Sequence, residues 1–291
     1  MIRIKTYRMI RALLGCTLFT LTFTMAFAQD SNSFAERVKS LDHHDGFFDL
    51  YWDKKEGKLL LQIDRFGEEF IYQSSMPRGV GSNDLGLDRG QLGDTRLVSF
   101  FRSGPKVLLI ENNTDYRASS SNESELAAVE SSFARSVVWG FEVLHENNES
   151  VLVDATKFFL RDAHGISSWL KRAQQGSYKV DSSRSAIYLP RTRAFPDNTE
   201  IEALITYTGS PGYDDTGFII SDTLSSVVPD PTAVTVHLHH SLIRLPDSNY
   251  TPLPYDPRAG LIGSPREKGF LDYSTPIGEP MRPSDRIAKL R

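Results

Sequence analysis

The chain has 291 residues, 40% of them hydrophobic, with 33 Lys and Arg against 37 Asp and Glu, a formal net charge of −4 and a single cysteine. Four basic residues and that cysteine lie within the first 28 positions, so a chain without this segment carries −8 and no thiol. An acidic chain lacking a basic block speaks against nucleic acid or an anionic membrane as partner, and a chain without thiols excludes disulfides, thiolate metal sites and a cysteine nucleophile.

Residues 1–28 read as a secretory signal peptide. Arg3, Lys5, Arg8 and Arg11 precede an apolar run over 12–23, and Ala26-Phe27-Ala28 offers a small-x-small cleavage site. Cys16, after Leu13-Leu14-Gly15, has the outline of a lipoprotein site, but the apolar run continues past it. The protein is therefore expected to be exported, to the periplasm or the extracellular space, with no transmembrane segment once the signal is cleaved. Residues 29–44 read as a flexible polar leader and 45–245 as a β-rich domain.

Strand signals open that domain. "FFDLYW" (47–52), the turn "DKKEG" and "KLLLQI" (58–63) form a hairpin, with "EFIYQSS" (69–75) as a third strand; "RLVSFF" and "KVLLIE" flank "RSGP" in another. The first helix is expected after Asn122, which with Glu125 resembles a capping box, and aligns Leu126, Val129, Phe133 and Val137 on one face. "VVWGFEVLH" and "SVLVDAT" make a further hairpin around "ENNE". A second helix is expected over 162–175, with Ile166, Trp169, Leu170 and Ala173 inward and Gly176 as a stop. "SAIYLP", "EIEALITYTG" and "AVTVHLHHSLIRL" complete about ten strands, so the fold class is α+β, predominantly antiparallel β-sheet with two amphipathic helices. Proline recurs throughout 246–291, which reads as an extended connecting arm.

Common catalytic motifs are missing from the sequence. His145 has Glu149 where H-E-x-x-H needs its second histidine, and there is no G-x-S-x-G, P-loop or complete G-x-G-x-x-G. In "HLHH", His237 and His239 share one face of a strand and His240 takes the other. The two on one face are weak candidates for zinc or copper, given a third ligand from elsewhere, or they make ordinary hydrogen bonds; no metal ligand is assigned. His43 and His44 fall in the leader and read as solvated, while His164 sits in the first turn of the second helix.

The stretch "RGVGSNDLGLDRGQLGDTR" (78–96) places five glycines among arginines and aspartates between two apolar runs. Long loops inside compact domains are often functional, which makes Asn83, Asp84, Asp88, Arg89 and Asp94 a candidate contact loop. Its oxygens are suited to calcium but match no calcium-loop spacing, and a carboxylate pair for glycoside hydrolysis is a further reading. Alternatively, Arg78, Arg89 and Arg96 pair with the aspartates and hold an ordered loop.

Taken together, "DGFFDLYWDKKEGKLLLQIDRFGEEFIYQSSMPRGVGSNDLGLDRGQLGDTRLV", "SVVWGFEVL", "VLVDATKFFLRDAHGI", "QGSYKVDSSRSAIYLPRTRAFPDNTEIEALITYTG", "VVPDPTAVTVHLHHSLIRLP" and "DYSTPIGEP" resemble the N-terminal uncharacterised domain of secreted bacterial zinc-dependent metallopeptidases. The resemblance spans about 45–280. It implies a β-rich accessory domain followed by a zincin domain that begins shortly after "DYSTPIGEP" and holds the zinc, which leaves no catalytic residue or cofactor on this chain. On that expectation the chain is a truncated, split or incompletely recorded metallopeptidase. The contact loop then faces the peptidase domain or its protein or peptide substrate. The alternatives are a free-standing periplasmic module that binds peptide or protein and an enzyme whose site follows no short motif.

Overall fold

The computed structural model describes residues 34–113, 116–117, 121–212 and 222–247, together with the pairs 253–254, 271–272 and 287–288. The expected signal peptide lies outside the described residues, as does the proline-rich arm apart from its first residues and those three pairs.

Thirteen strands form one antiparallel sheet: β1 (Asp42–His44), β2 (Leu50–Asp53), β3 (Lys58–Ile63), β4 (Glu69–Arg78), β5 (Gln91–Ser103), β6 (Lys106–Glu111), β8 (Ser136–Glu146), β9 (Val151–Asp154), β10 (Gly176–Val180), β11 (Ala186–Ile187), β12 (Arg193–Phe195), β13 (Asn198–Pro211) and β14 (Ala233–Arg244). The order is β1-β2-β3-β9-β8-β6-β5-β4-β14-β13-β10, with β11 and β12 also paired to β13. The short strand β7 (Tyr116–Arg117) pairs outside this sheet, in parallel, with residues 271–272. Strand β8 serves two partners: its first part, to Glu142, pairs with β6, and from Val143 onward it pairs with β9. The bend this imposes curls the sheet until it nearly closes into a barrel.

The loop between β1 and β2, at one end of the strand order, bonds to β12 and β13 near the other end. Phe47 N–H donates to the Phe195 carbonyl at 2.7 Å, and Phe48 N–H donates to Thr199 Oγ1 at 2.9 Å. The Thr199 hydroxyl returns a bond to the Phe48 carbonyl at 2.9 Å. Only glycine fits at 46, because a Cβ there would stand 2.6 Å from that of Ala194 and 2.7 Å from the Phe195 nitrogen. This seam buries the aromatic core beneath it: Phe47, Phe48, Phe70, Phe100, Phe141, Phe158 and Phe159 pack with Leu59, Leu109, Ile201 and Leu242. Most of these rings meet tilted or edge to face, as at Phe48–Phe100, 5.3 Å apart and perpendicular. A second cluster, including Leu85, Leu87, Ile166, Leu170, Ile205 and Tyr207, lies against β13 and β14 farther along the chain.

Several expectations change. The leader is structured over its described part: residues 34–38 are helical, Phe34 is buried against Tyr51, Leu60 and Leu152, and Arg37 binds Asp53 at 2.6 Å. His44 closes a strand instead of belonging to a free tail. The first helix, α1 (Glu123–Ser132), is capped by Asn122 as expected but buries no residue. Its anticipated apolar face breaks because Phe133 is the C-cap and Val137 pairs in β8 with Ile110. A single turn, α2 (Thr156–Phe159), was not foreseen and buries Phe158 and Phe159. The other expected helix is reduced to α3 (Ile166–Arg172), since Gly165 adopts φ 74° immediately before it. Trp169, expected inward, is 41% exposed. A further short helix, α4, covers Asp222–Val227.

Replacing Thr199 by Val is predicted to strand the buried Phe48 amide and carbonyl and lower unfolding stability by roughly 1–3 kcal/mol, with Thr199→Ser nearly neutral. Urea midpoints of the two variants test this, and equal midpoints would refute the role given to the seam.

Candidate functional site

The glycine loop runs from 79 to 90, shorter than expected, because β4 continues to Arg78 and β5 begins at Gln91. Asn83, Asp84, Asp88 and Arg89 therefore lie on the loop, while Asp94 lies on β5. Backbone bonds order it: Val80 N–H to Leu87 O at 2.8 Å, Gly86 N–H to Asn83 O at 2.9 Å and Gly90 N–H to Met76 O at 2.8 Å. Leu85 and Leu87 bury themselves beneath it among Ile166 and Leu170. Trp169 Nε1 donates to the Leu85 carbonyl, and the indole lies so close that a Cβ on Gly86 would be 2.8 Å from its ring. Gly86 also has φ +62°, so both space and backbone demand glycine there.

The arginines contribute less to this order than expected. Arg96 pairs with Asp94 at 2.9 Å and also with Glu111, both along β5 and β6, and the Arg78 guanidinium lies 5.7 Å from the Tyr188 ring. Asp88 accepts a hydrogen bond from the side chain of Gln91. Leucine burial and main-chain bonds thus take the place of the proposed ion-pair lattice.

Between loop and α3 lies a cleft of about 410 Å³, lined by Gly86, Leu87, Gln91, His164, Trp169 and Arg172, among others. His164 Nδ1 is buried with no hydrogen-bond partner among the described residues, and burial holds this imidazole below its ordinary pKa against the opposing charges of Asp162 and Asp94. Asp162 is occupied elsewhere. It accepts from the Ile166 and Ser167 amides and from the Tyr207 hydroxyl, so it caps α3 from four residues upstream. Leu92, 75% exposed, stands on the strand that follows the loop.

A polar ladder crosses the outer face of β13 and β14. His237 Nδ1 lies 2.7 Å from Glu202, His239 Nε2 2.6 Å from Glu200, and His239 Nδ1 3.9 Å from Glu202. Ser241 and Asn198 also donate to Glu200. Burial alone would raise the Glu200 pKa, but the bonds from His239, Ser241 and Asn198 outweigh it and hold the carboxylate below its usual range. The carboxylates that His237 and His239 lacked in sequence thus arrive from the neighbouring strand. Their trace was present as Glu200-Ile201-Glu202, an alternating acid pair that only antiparallel pairing sets against the alternating histidines.

His240 points inward, as the alternation requires. The Phe159 carbonyl can only accept, so His240 Nε2 donates to it at 3.1 Å; Nδ1 accepts from the Tyr72 hydroxyl at 2.8 Å, and that oxygen accepts from Arg161 at 2.9 Å. Complete burial, assisted by the Arg161 charge, pushes this neutral imidazole down to about 3.

Asp84, Asp88 and Asp94 do not converge. Among the described residues, the one group of three or more His, Cys, Asp or Glu side chains with ligand atoms mutually within 4.8 Å is His43, Asp45 and Asp49. No helix among the described residues is long and apolar enough to cross a membrane, a statement that concerns helices alone.

Fold and site together define a β-rich module whose ordered loop, cleft and polar ladder are all mounted on one nearly closed sheet. The chain belongs to the family described as a domain of unknown function, DUF5117, whose model matches residues 90–283. No curated protein and no solved structure matches it.

The His240 environment predicts acid sensitivity. The folded pKa lies below that of the unfolded chain, so between about pH 3 and 6.5 the unfolded state alone binds this proton. Stability is predicted to rise with pH across that window, by about 1.4 kcal/mol per unit from this group. Glu200, whose depressed pKa stabilises the fold above the ordinary carboxylate range, adds a loss in the same direction at the acid end. NMR titration of the imidazoles provides the check: a His240 ring that protonates near 6.5 would contradict the assignment.

Proposed function

We propose that this chain is the non-catalytic N-terminal accessory domain of an exported zinc-dependent metallopeptidase. The face formed by loop 79–90, the start of β5 and α3 packs against the peptidase domain and shapes its cleft. The reading draws on the long motifs that resemble such enzymes, and the observation that carries it is the pairing of exposure with rigidity on this face. Trp169 offers large apolar surface to solvent beside the cleft, while the bond to the Leu85 carbonyl, the buried Leu85 and Leu87 and the Asp162 cap hold the loop and α3 in place. A preorganised apolar anchor beside a concave cleft loses little entropy on docking. Asn83, Asp84, Asp88, Arg89 and Asp94 then form the polar rim, and the catalytic zinc belongs to the peptidase domain.

The test is binding of the full chain to the isolated catalytic domain of a metallopeptidase of the resembling family. Trp169→Ala is expected to weaken association at least tenfold, whereas Asp84→Ala and Asp88→Ala change it only about two- to threefold, as rim charges do. No association with the peptidase domain, combined with saturable binding of extended peptides, would instead identify a free-standing peptide-binding module.

A further inference from the structure

The β1–β2 turn carries a second constellation, distant in chemistry from the docking face. His43 lies in β1, paired in register with Tyr51 of β2, and its imidazole stacks flat on the Tyr51 ring at 4.5 Å and 8°. That stacking fixes the ring plane. Asp49 is fixed from the other side: Oδ1 accepts the Gly46 amide at 3.0 Å, and its backbone carbonyl accepts from Gln62 at 3.0 Å. Its other oxygen, Oδ2, accepts a hydrogen bond from His43 Nε2 at 3.1 Å. Asp45 brings a second carboxylate, so that one ligand atom from each of the three residues lies within 4.8 Å of the others.

We propose that His43, Asp45 and Asp49 form a site for a divalent transition-metal ion of the zinc class. The 3.1 Å between Nε2 and Oδ2 is close to the ~3.3 Å edge of a tetrahedron with metal–ligand bonds of about 2.05 Å. One imidazole and two carboxylates form a borderline donor set that suits Zn²⁺, Co²⁺ or Mn²⁺ and selects against Ca²⁺, which takes oxygen ligands. His43 and Asp45 are exposed and Asp49 is half-buried, which leaves the remaining coordination positions to water.

The location gives the ion a task. Gly46 and Phe47, between the ligands, form the barrel seam through the Phe195 carbonyl and the tight contact with Ala194. A metal bound by 43, 45 and 49 ties β1 to the start of β2 across this turn, and because the unfolded chain lacks the arrangement, binding stabilises the closed fold by mass action. The ladder histidines differ on this point. Among the described residues, His237 and His239 belong to no group of three such ligand atoms within the same distance.

The experiment titrates the chelator-treated full chain with Zn²⁺, and separately with Co²⁺, by calorimetry, visible absorption and thermal unfolding. One ion per chain is expected, with a rise in unfolding temperature. His43→Gln, Asp45→Asn and Asp49→Asn should each weaken affinity at least tenfold while keeping the native circular dichroism spectrum, and a His237→Gln, His239→Gln double variant should bind as the parent does. Binding that survives in all three turn variants, binding lost with the ladder histidines, or no saturable binding below millimolar metal would overturn the assignment.

Discussion

The antiparallel pairing of β14 with β4 is the constraint on which the rest of the structure depends. It brings residues 237–244 against 70–78, across a stretch of chain that contains almost every other element. Closing a loop of that length costs on the order of 4–5 kcal/mol in chain entropy by the logarithmic law. The return is local and specific: Tyr72 and His240 are buried together, with Arg161 and the Phe159 carbonyl completing their hydrogen bonds, and Leu242 joins the aromatic core. Opposite Leu238 the register shifts, which lets β4 carry Pro77 through a ladder that could not otherwise tolerate a missing donor.

Every feature with chemical potential hangs on that pairing. The glycine loop leaves the end of β4, at Arg78, which is registered against His237. The polar ladder is the outer face of β13 and β14, and its inner face is the floor of both hydrophobic clusters through Ile201, Ile205, Leu238 and Leu242. One pair of strands thus separates a buried, largely apolar side from a polar one by simple alternation. The turn at 43–49 uses the same sheet differently, meeting β13 through Thr199, whose hydroxyl bonds both the amide and the carbonyl of Phe48.

Much of this pattern was readable residue by residue. The boundaries of β3 at 58–63 and β6 at 106–111 follow directly from apolar runs between turn residues, and the opposite facing of His239 and His240 follows from period-two geometry. The Asn122 cap was also legible, since capping is a local hydrogen bond. The helix faces were not. α1 exposes Leu126 because β6 claims the residues from 136 onward, and Trp169 turns outward because the loop over α3 offers the Leu85 carbonyl to its indole. Both outcomes rest on partners more than twenty residues away, which no helical period encodes.

The sequence by itself determined that the chain is acidic, that its apolar residues alternate at strand spacing, and that its glycines and aspartates cluster at turns, because composition, side-chain alternation and turn chemistry are properties of short windows. Tertiary structure alone decided that Glu200 and Glu202 meet His239 and His237, that the glycine loop rests on Trp169, and that His43 lies beside Asp49 on a folded turn instead of in a free leader. The physical reason is common to all three. Strand register and sheet closure bring together residues that local propensity leaves indifferent to one another, and the side chains acquire their burial, charge environment and hydrogen-bond partners only after that closure is complete.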